Sequence, residues 1–196
     1  FVRLLGYAAP QDVAVGEPIN IPGEVIAVRD TTLYTRDFVW KEDAPRTMVA
    51  RLELNGDRVE LHASRVFDDR QVSRVRSDGA GHILVSHHSV NDASSLNKLS
   101  VLNDQDLSLV SEVELGAWAL FTDAKRGRAL FQVSGGLLVL DVRDAAQPRP
   151  QAFFPSLGWP SDVAFDDDDD GDSILFAAGF YGIHRLDADV FNLLTP

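Results

Sequence analysis

An all-β chain, folded as a β-propeller of four-stranded antiparallel blades, is predicted by three observations. Four segments repeat one order of strands and turns, apolar residues inside them alternate with period two, and no run carries the 3.6-residue apolar spacing of a helix. The segments open with EVIAVRDTTLYTRD from Glu24, VSRVRSDGAGHILVS from Val72, WALFTDAKRGRALFQVS from Trp118 and SDVAFDDDDDGDSILFAAG from Ser161. They place Leu33, Leu84, Leu130 and Leu175 at equivalent second-strand positions, 45 to 51 residues apart. A repeat of that length with four strands per unit is the signature of a propeller blade.

Each element follows in order. Residues 1–23 hold short apolar stretches suited to one or two strands that complete or precede a blade, and blades are then expected at 24–71, 72–117, 118–160 and 161–196. Third strands end at Leu54-Asn55, Leu102-Asn103, Leu140-Asp141 and Leu186-Asp187, where a side chain that bonds its own backbone suits the mouth of a turn. Apolar residues alternate from Leu52 to Leu61 around Asn55-Gly56, a dipeptide that accepts positive φ and predicts a tight hairpin. The fourth strand of the last blade is read at VFNLLTP. Four blades either close as a ring or form a portion of a larger propeller. The second is the expectation, because the sequence opens at Phe1 without a basic and apolar leader and reads as processed or truncated.

Composition bounds the function. The chain has 196 residues, 45% of them hydrophobic, enough to bury a core within one domain. Thirty acidic against 18 basic side chains give a net charge of −12, a field that repels nucleic acid. Without cysteine there is neither a disulfide framework nor a thiolate metal site. The longest apolar runs, such as Gly135 to Val142, are strand-sized, so no transmembrane segment is expected.

The segment GGLLVLDVRDAAQPRPQAFF from Gly135 has an apolar strand ending in Asp and a DxxxP connection. It resembles the LVIVD repeat. YGIHRLDAD from Tyr181 repeats that core, whereas the first two units keep only the strand pattern. The resemblance implies a bacterial, extracytoplasmic propeller with a binding role, located in the periplasm, on the cell surface or secreted.

The aspartate run falls on the turn between first and second strands, where a solvated acidic turn suffices. Its spacing also fits a hard cation. Asp166, Asp168 and Asp170 before Gly171 satisfy D-x-D-x-D-G, with Asp172 as a further ligand, and like charges so close repel one another. This is similar to the calcium hairpins of FG-GAP propeller blades, which occupy the same turn. The departures are Ile174 at the ninth position and Ala177 at the twelfth, which leave backbone carbonyls or water to complete the shell.

Other chemistry is weaker. His87-His88 is the one histidine pair, and neighbours on a strand point to opposite faces, so the reading is a polar blade-edge loop. His62, His82 and His184 read as ordinary hydrogen-bonding residues. Asp37, Glu42, Asp43 and Asp92 supply loop carboxylates for a hydrolase or lyase, but no spacing fixes a pair, and neither a nucleophile elbow nor an Asp-box occurs. The aromatics Trp118, Trp159, Phe153, Phe154, Phe180 and Tyr181 read as packing between blades. Trp40, in what reads as the acidic loop Phe38 to Thr47, suits a partner-binding hot spot. The expectation is a noncatalytic scaffold that offers such loops to a protein or glycan. An enzyme and a structural subunit of a larger assembly are the alternatives.

Overall fold

The computed structural model describes residues 3, 5–9, 12–41, 44–56, 58–91, 96–116, 118–155, 162–166, 173–177 and 182–187. Strands β1 (Leu5–Ala9) and β2 (Asp12–Val15) pair with each other as a two-stranded sheet. Four antiparallel meanders follow. The first holds β3 (Glu24–Arg29), β4 (Thr32–Lys41), β5 (Ala44–Asn55) and β6 (Arg58–Asp68). The second holds β7 (Arg70–Ser77), β8 (His82–Ser89), β9 (Lys98–Asn103) and β10 (Leu109–Glu114). The third holds β11 (Leu120–Lys125), β12 (Arg128–Val133), β13 (Gly136–Asp141) and β14 (Arg149–Pro155). The fourth has β15 (Asp162–Phe165), β16 (Ile174–Ala177) and β17 (Ile183–Leu186) among the described residues. The stretch VFNLLTP lies outside them. No helix occurs among the described residues, so none long and apolar enough to cross a membrane is found there.

The order of strands in the sequence repeat is the order of strands in these sheets. Leu33, Leu84, Leu130 and Leu175 all stand on second strands, and the Leu-Asn and Leu-Asp pairs end third strands. The hairpin at Gly56 closes on the pair Asn55–Arg58, with Gly56 at φ 62°, and registers Leu52 with Leu61 and Leu54 with Val59 on one face. First strands start within two residues of the repeat segments: β3 at Glu24, β7 at Arg70 against Val72, β11 at Leu120 against Trp118 and β15 at Asp162 against Ser161.

The sheets stack face to face because their middle strands are apolar on both sides. Ile83 and Val85 join Tyr34, Val49 and Phe67 of the first sheet in one core. Leu84, between them, faces the third sheet with Phe121, Ala129 and Phe131. Leu130 and Val139 in turn pack on Val163, Phe165 and Ile174 of the fourth. Each first strand contacts the next, β3 with β7, β7 with β11 and β11 with β15.

Register shifts near the start of β3, β7 and β11 mark a bulge in each. A bulge takes a residue out of the ladder and frees its polar groups. Two carbonyls near these bulges are used as ties between sheets: Arg36 Nη1 donates to Val72 O and Arg74 Nη1 to Thr122 O, each at 2.7 Å. A third tie is buried. Asp104 of the second sheet accepts from Arg29 and from the Tyr34 hydroxyl of the first, and Arg29 Nη1 also donates to Ser77 Oγ at 3.0 Å. Burial, then the bond to Asp104, pushes the Tyr34 hydroxyl far above the usual phenol range.

Candidate functional site

In an antiparallel meander the second-to-third connection and the exit from the fourth strand share one end, and the first-to-second and third-to-fourth turns share the other. The two ends differ in chemistry. At the turn end, polar groups are consumed locally. Asp78 Oδ1 accepts from the N–H groups of Ala80 and His82 at 2.7 and 3.0 Å, and Oδ2 accepts from His82 Nδ1 at 2.8 Å. Asp141 holds Arg143 through Nε and Nη2 at 2.9 and 2.7 Å, and these bonds keep its carboxyl below the usual range. A cleft of about 460 Å³ lies between these turns, lined in part by Lys125, Arg126 and Arg143.

The opposite end exposes large apolar side chains. Phe38, Val39 and Trp40 are not in a loop. They continue β4, which pairs with β5 as far as Lys41–Ala44, so Phe38 to Lys41 and Ala44 to Thr47 are paired arms that overhang the end of β3, whose pairing stops at Arg36. Their alternating aromatic and β-branched residues favour an extended chain, and Pro45 sits next to the first residue of β5, where a missing N–H is tolerated. Trp40 is 56% exposed and meets Phe38 edge to face with ring centroids 5.9 Å apart. Trp118, in the connection between second and third sheets, is 74% exposed at this end, and Phe153 is exposed too, so neither is the packing residue its sequence context implies. Phe154 is half-buried against the third and fourth sheets. Trp159, Phe180 and Tyr181 lie outside the described residues.

Thr47 staples the overhang to the second sheet. Its buried Oγ1 donates to Arg70 O at 2.7 Å and accepts from Val72 N–H at 3.3 Å. Arg46 pairs with Asp68 at 2.6 Å across the outer face of the hairpin. Beside the overhang is a cleft of about 330 Å³ lined by Gly23, Glu24, Arg36, Asp37, Phe38 and Gln71. Gly23, at φ 69°, is required there, because a Cβ would stand 2.3 Å from Arg36 O. Of the candidate carboxylates only Asp37 is described; Glu42, Asp43 and Asp92 lie outside.

His87 and His88 stand on β8, not in a loop, and they face opposite ways. His88 is half-buried, while His87 is fully buried against the Phe67 ring, 4.8 Å between centroids. Arg70 Nη1 lies 3.4 Å from His87 Nδ1, and a guanidinium only donates, so Nδ1 accepts and Nε2 carries the proton. Nε2 then donates to Ser100 Oγ at 2.8 Å, and the Ser100 hydroxyl donates to Glu112 Oε2 at 3.0 Å. Lys98 Nζ closes the chain at 2.6 Å on Glu112. Burial and the Arg70 charge drive the His87 pKa down to about 4. Burial pushes Glu112 up, but the bonds from Lys98 and Ser100 outweigh it and hold its carboxyl below the usual range. Serine, histidine and carboxylate are thus adjacent, yet the imidazole's lone pair on Nδ1 is taken by Arg70 and the serine proton is given to Glu112, so no lone pair of the ring faces the serine hydroxyl. This chain is a buried tie, not a nucleophile with its base.

The aspartate turn connects β15 to β16, where the repeat put it, and Asp166 N–H donates to Ser173 O at 2.9 Å. Arg185 sits on its base, 3.2 Å from Asp166 and 3.1 Å from Asp187. Asp168, Asp170 and Asp172 lie outside the described residues. His82 serves the Asp78 turn, and His62 and His184 are exposed. The buried Asp104 and His87 ties went unseen in the sequence, since their partners lie up to 75 residues away. Neither the comparison with protein-family models nor that with curated protein sequences gives a match.

Proposed function

We propose that the chain is a noncatalytic binding module on a propeller-type scaffold, and that the end bearing the β4–β5 overhang is its contact face for a protein or glycan partner. One observation carries this reading: the exposed aromatics Phe38, Trp40 and Trp118 stand at that end, while the turn end, though it exposes the aliphatic Val28, Leu109 and Val110, carries self-capped polar turns. Exposed aromatics on a rigid support are what a hot spot needs. Three cores linking consecutive sheets and first strands in contact support the propeller reading, with the remainder of a larger ring as one possible neighbour. The extracytoplasmic setting rests on the LVIVD-like segment alone.

Binding is favoured over hydrolysis by loop carboxylates because Glu24, the second carboxylate of the cleft beside Asp37, is neutralised by Arg36 at 2.7 Å. The test is surface plasmon resonance against immobilised protein and glycan panels. For whatever ligand binds the wild type, Trp40→Ala should cost about 2 kcal/mol, or roughly thirtyfold in Kd, and Leu109→Ser at the turn end should cost little. Equal affinity for wild type and Trp40→Ala would refute the assignment of this face.

A further inference from the structure

The overhang leaves a strand edge without a neighbour. β3 pairs with β4 only from Arg36 to Thr32, so Asp37 to Lys41 have β5 on one side and no strand on the other among the described residues. Strand alternation says which groups are left over. Leu54 N–H donates to Thr31 O, which directs the odd-numbered residues of this ladder to β5. The even-numbered partners Arg36, Tyr34 and Thr32 are those opposite Glu24, Ala27 and Arg29 of β3. By the same alternation the N–H and C=O of Phe38 and Trp40 point to the empty side, and they have no partner among the described residues. Edges of this kind are commonly blunted by lysine or proline; here one lysine, Lys41, stands at the far end of the edge, and Asp37 to Trp40 contain neither.

We propose that this edge takes up an extended, basic peptide segment of a partner protein, added as an antiparallel strand in line with β3. The proposal rests on the contact face just described and names its ligand. Charge favours a basic strand. Arg36 is bound to Glu24 and Arg46 to Asp68, the Asp37 carboxylate lines the cleft, and the sequence places Glu42 and Asp43 directly after Lys41 in a chain of net charge −12. The cleft of about 330 Å³ lies along the same edge and receives a side chain of the added strand. The Asp37 carboxylate and Gln71 amide that line it make no side-chain hydrogen bond among the described residues, so they are available to a lysine or arginine.

The experiment is fluorescence anisotropy of the full chain with a labelled lysine–valine alternating heptapeptide and with the same peptide N-methylated at alternate residues. Saturable binding that N-methylation weakens at least tenfold is expected, together with slowed amide exchange at Phe38 and Trp40. Phe38→Pro removes one edge N–H and leaves the β4–β5 ladder intact. It should abolish binding without shifting the melting temperature beyond that of Phe38→Ala. Equal affinity for the methylated peptide, or no binding by either, overturns the proposal. A concentration-dependent dimer that Phe38→Pro abolishes would make a second copy the occupant and would also overturn it. If a glycan or folded protein instead binds in a Trp40-dependent way, the contact face survives and the peptide strand falls; if Trp40→Ala binds every ligand as the wild type does, both fall.

Discussion

Mild acid should weaken this fold through one side chain. His87 is buried neutral, with a pKa of about 4 against 6.5 for an unperturbed imidazole. Above pH 6.5 neither state binds the proton. Between 6.5 and 4 the unfolded chain takes it up and the folded one does not, so stability falls as pH falls. For these two values the loss is about 2 kcal/mol at pH 5 and levels off near 3 kcal/mol below pH 4. Burial chiefly sets the direction, and of the charges facing the ring Arg70, Lys98 and His88 oppose a second cation while Glu112 favours it. Urea titrations followed by tryptophan fluorescence at pH 7.5, 6.5, 5.5 and 5.0 give the slope. The His87→Gln variant supplies the control, because an amide can accept from Arg70, donate to Ser100 and not titrate. Half-buried His88 is shifted the same way by burial, so the difference between wild type and variant is the quantity to read. Glu112, held low, loses its contribution only below pH 4.5, under the range measured. A variant that keeps the full wild-type slope would refute the reasoning.

Three further outcomes follow from named contacts. Tyr34→Phe leaves buried Asp104 short of a donor and should cost about 1–3 kcal/mol in chemical denaturation; a double-mutant cycle with Arg29→Ala should show coupling, since both donate to that carboxylate. Gly136→Ala puts a Cβ 2.0 Å from Phe154 O, a backbone atom of β14, and should cost about 2 kcal/mol or more, whereas Gly56→Ala meets nothing within 4 Å and bears only its φ strain of about 1 kcal/mol. With Arg185 already on Asp166, the melt is expected to be the same in calcium and in chelator; a rise with calcium that Asp168→Ala removes would make the turn a cation site, worth about 2.7 kcal/mol at a hundredfold excess over Kd.

The strand order was legible because it is written in local pattern. Leu33, Leu84, Leu130 and Leu175 mark second strands in whichever sheet they fall, since a middle strand covered on both faces carries apolar residues at successive positions. The overhang was not legible. Asp37, Lys41, Glu42, Asp43 and Pro45 give the stretch a loop's composition, and only the register of β4 with β5 shows that Phe38 to Trp40 extend a strand. Burial of His87 was hidden for a different reason. Its polarity reads as surface, and what permits burial is a set of partners on three other strands, Arg70, Ser100 and Glu112, that no local window contains. Asp104 is the same case, held by Arg29 and Tyr34 from the preceding sheet. Trp118 misled in the opposite sense, because an aromatic beside a strand start reads as filler and here stands in solvent.

The costly burial of His87 is intelligible from what Arg70 does on its other side. The guanidinium of Arg70 faces His87, and its carbonyl accepts from Thr47 Oγ1 at the foot of the overhang. Thr47 in turn accepts from Val72, whose carbonyl holds Arg36 beside the cleft. One buried chain therefore runs from Glu112 through Ser100, His87 and Arg70 to the hairpin and its open edge. A hairpin standing beyond its neighbours gains little packing beyond the Phe38–Trp40 contact and buried Pro45, and would fray if only these and its ladder held it. Anchoring its foot in a satisfied polar network removes that freedom before a partner arrives, and ordering done in advance is not charged against affinity. Protonating His87 places a second positive charge against Arg70, so acid should loosen the hairpin foot first, and amide exchange at Val72 should quicken at pH 5 before exchange in β12 and β13 does. Simultaneous quickening in all three places would show that the network stabilises the whole fold and has no special hold on the hairpin.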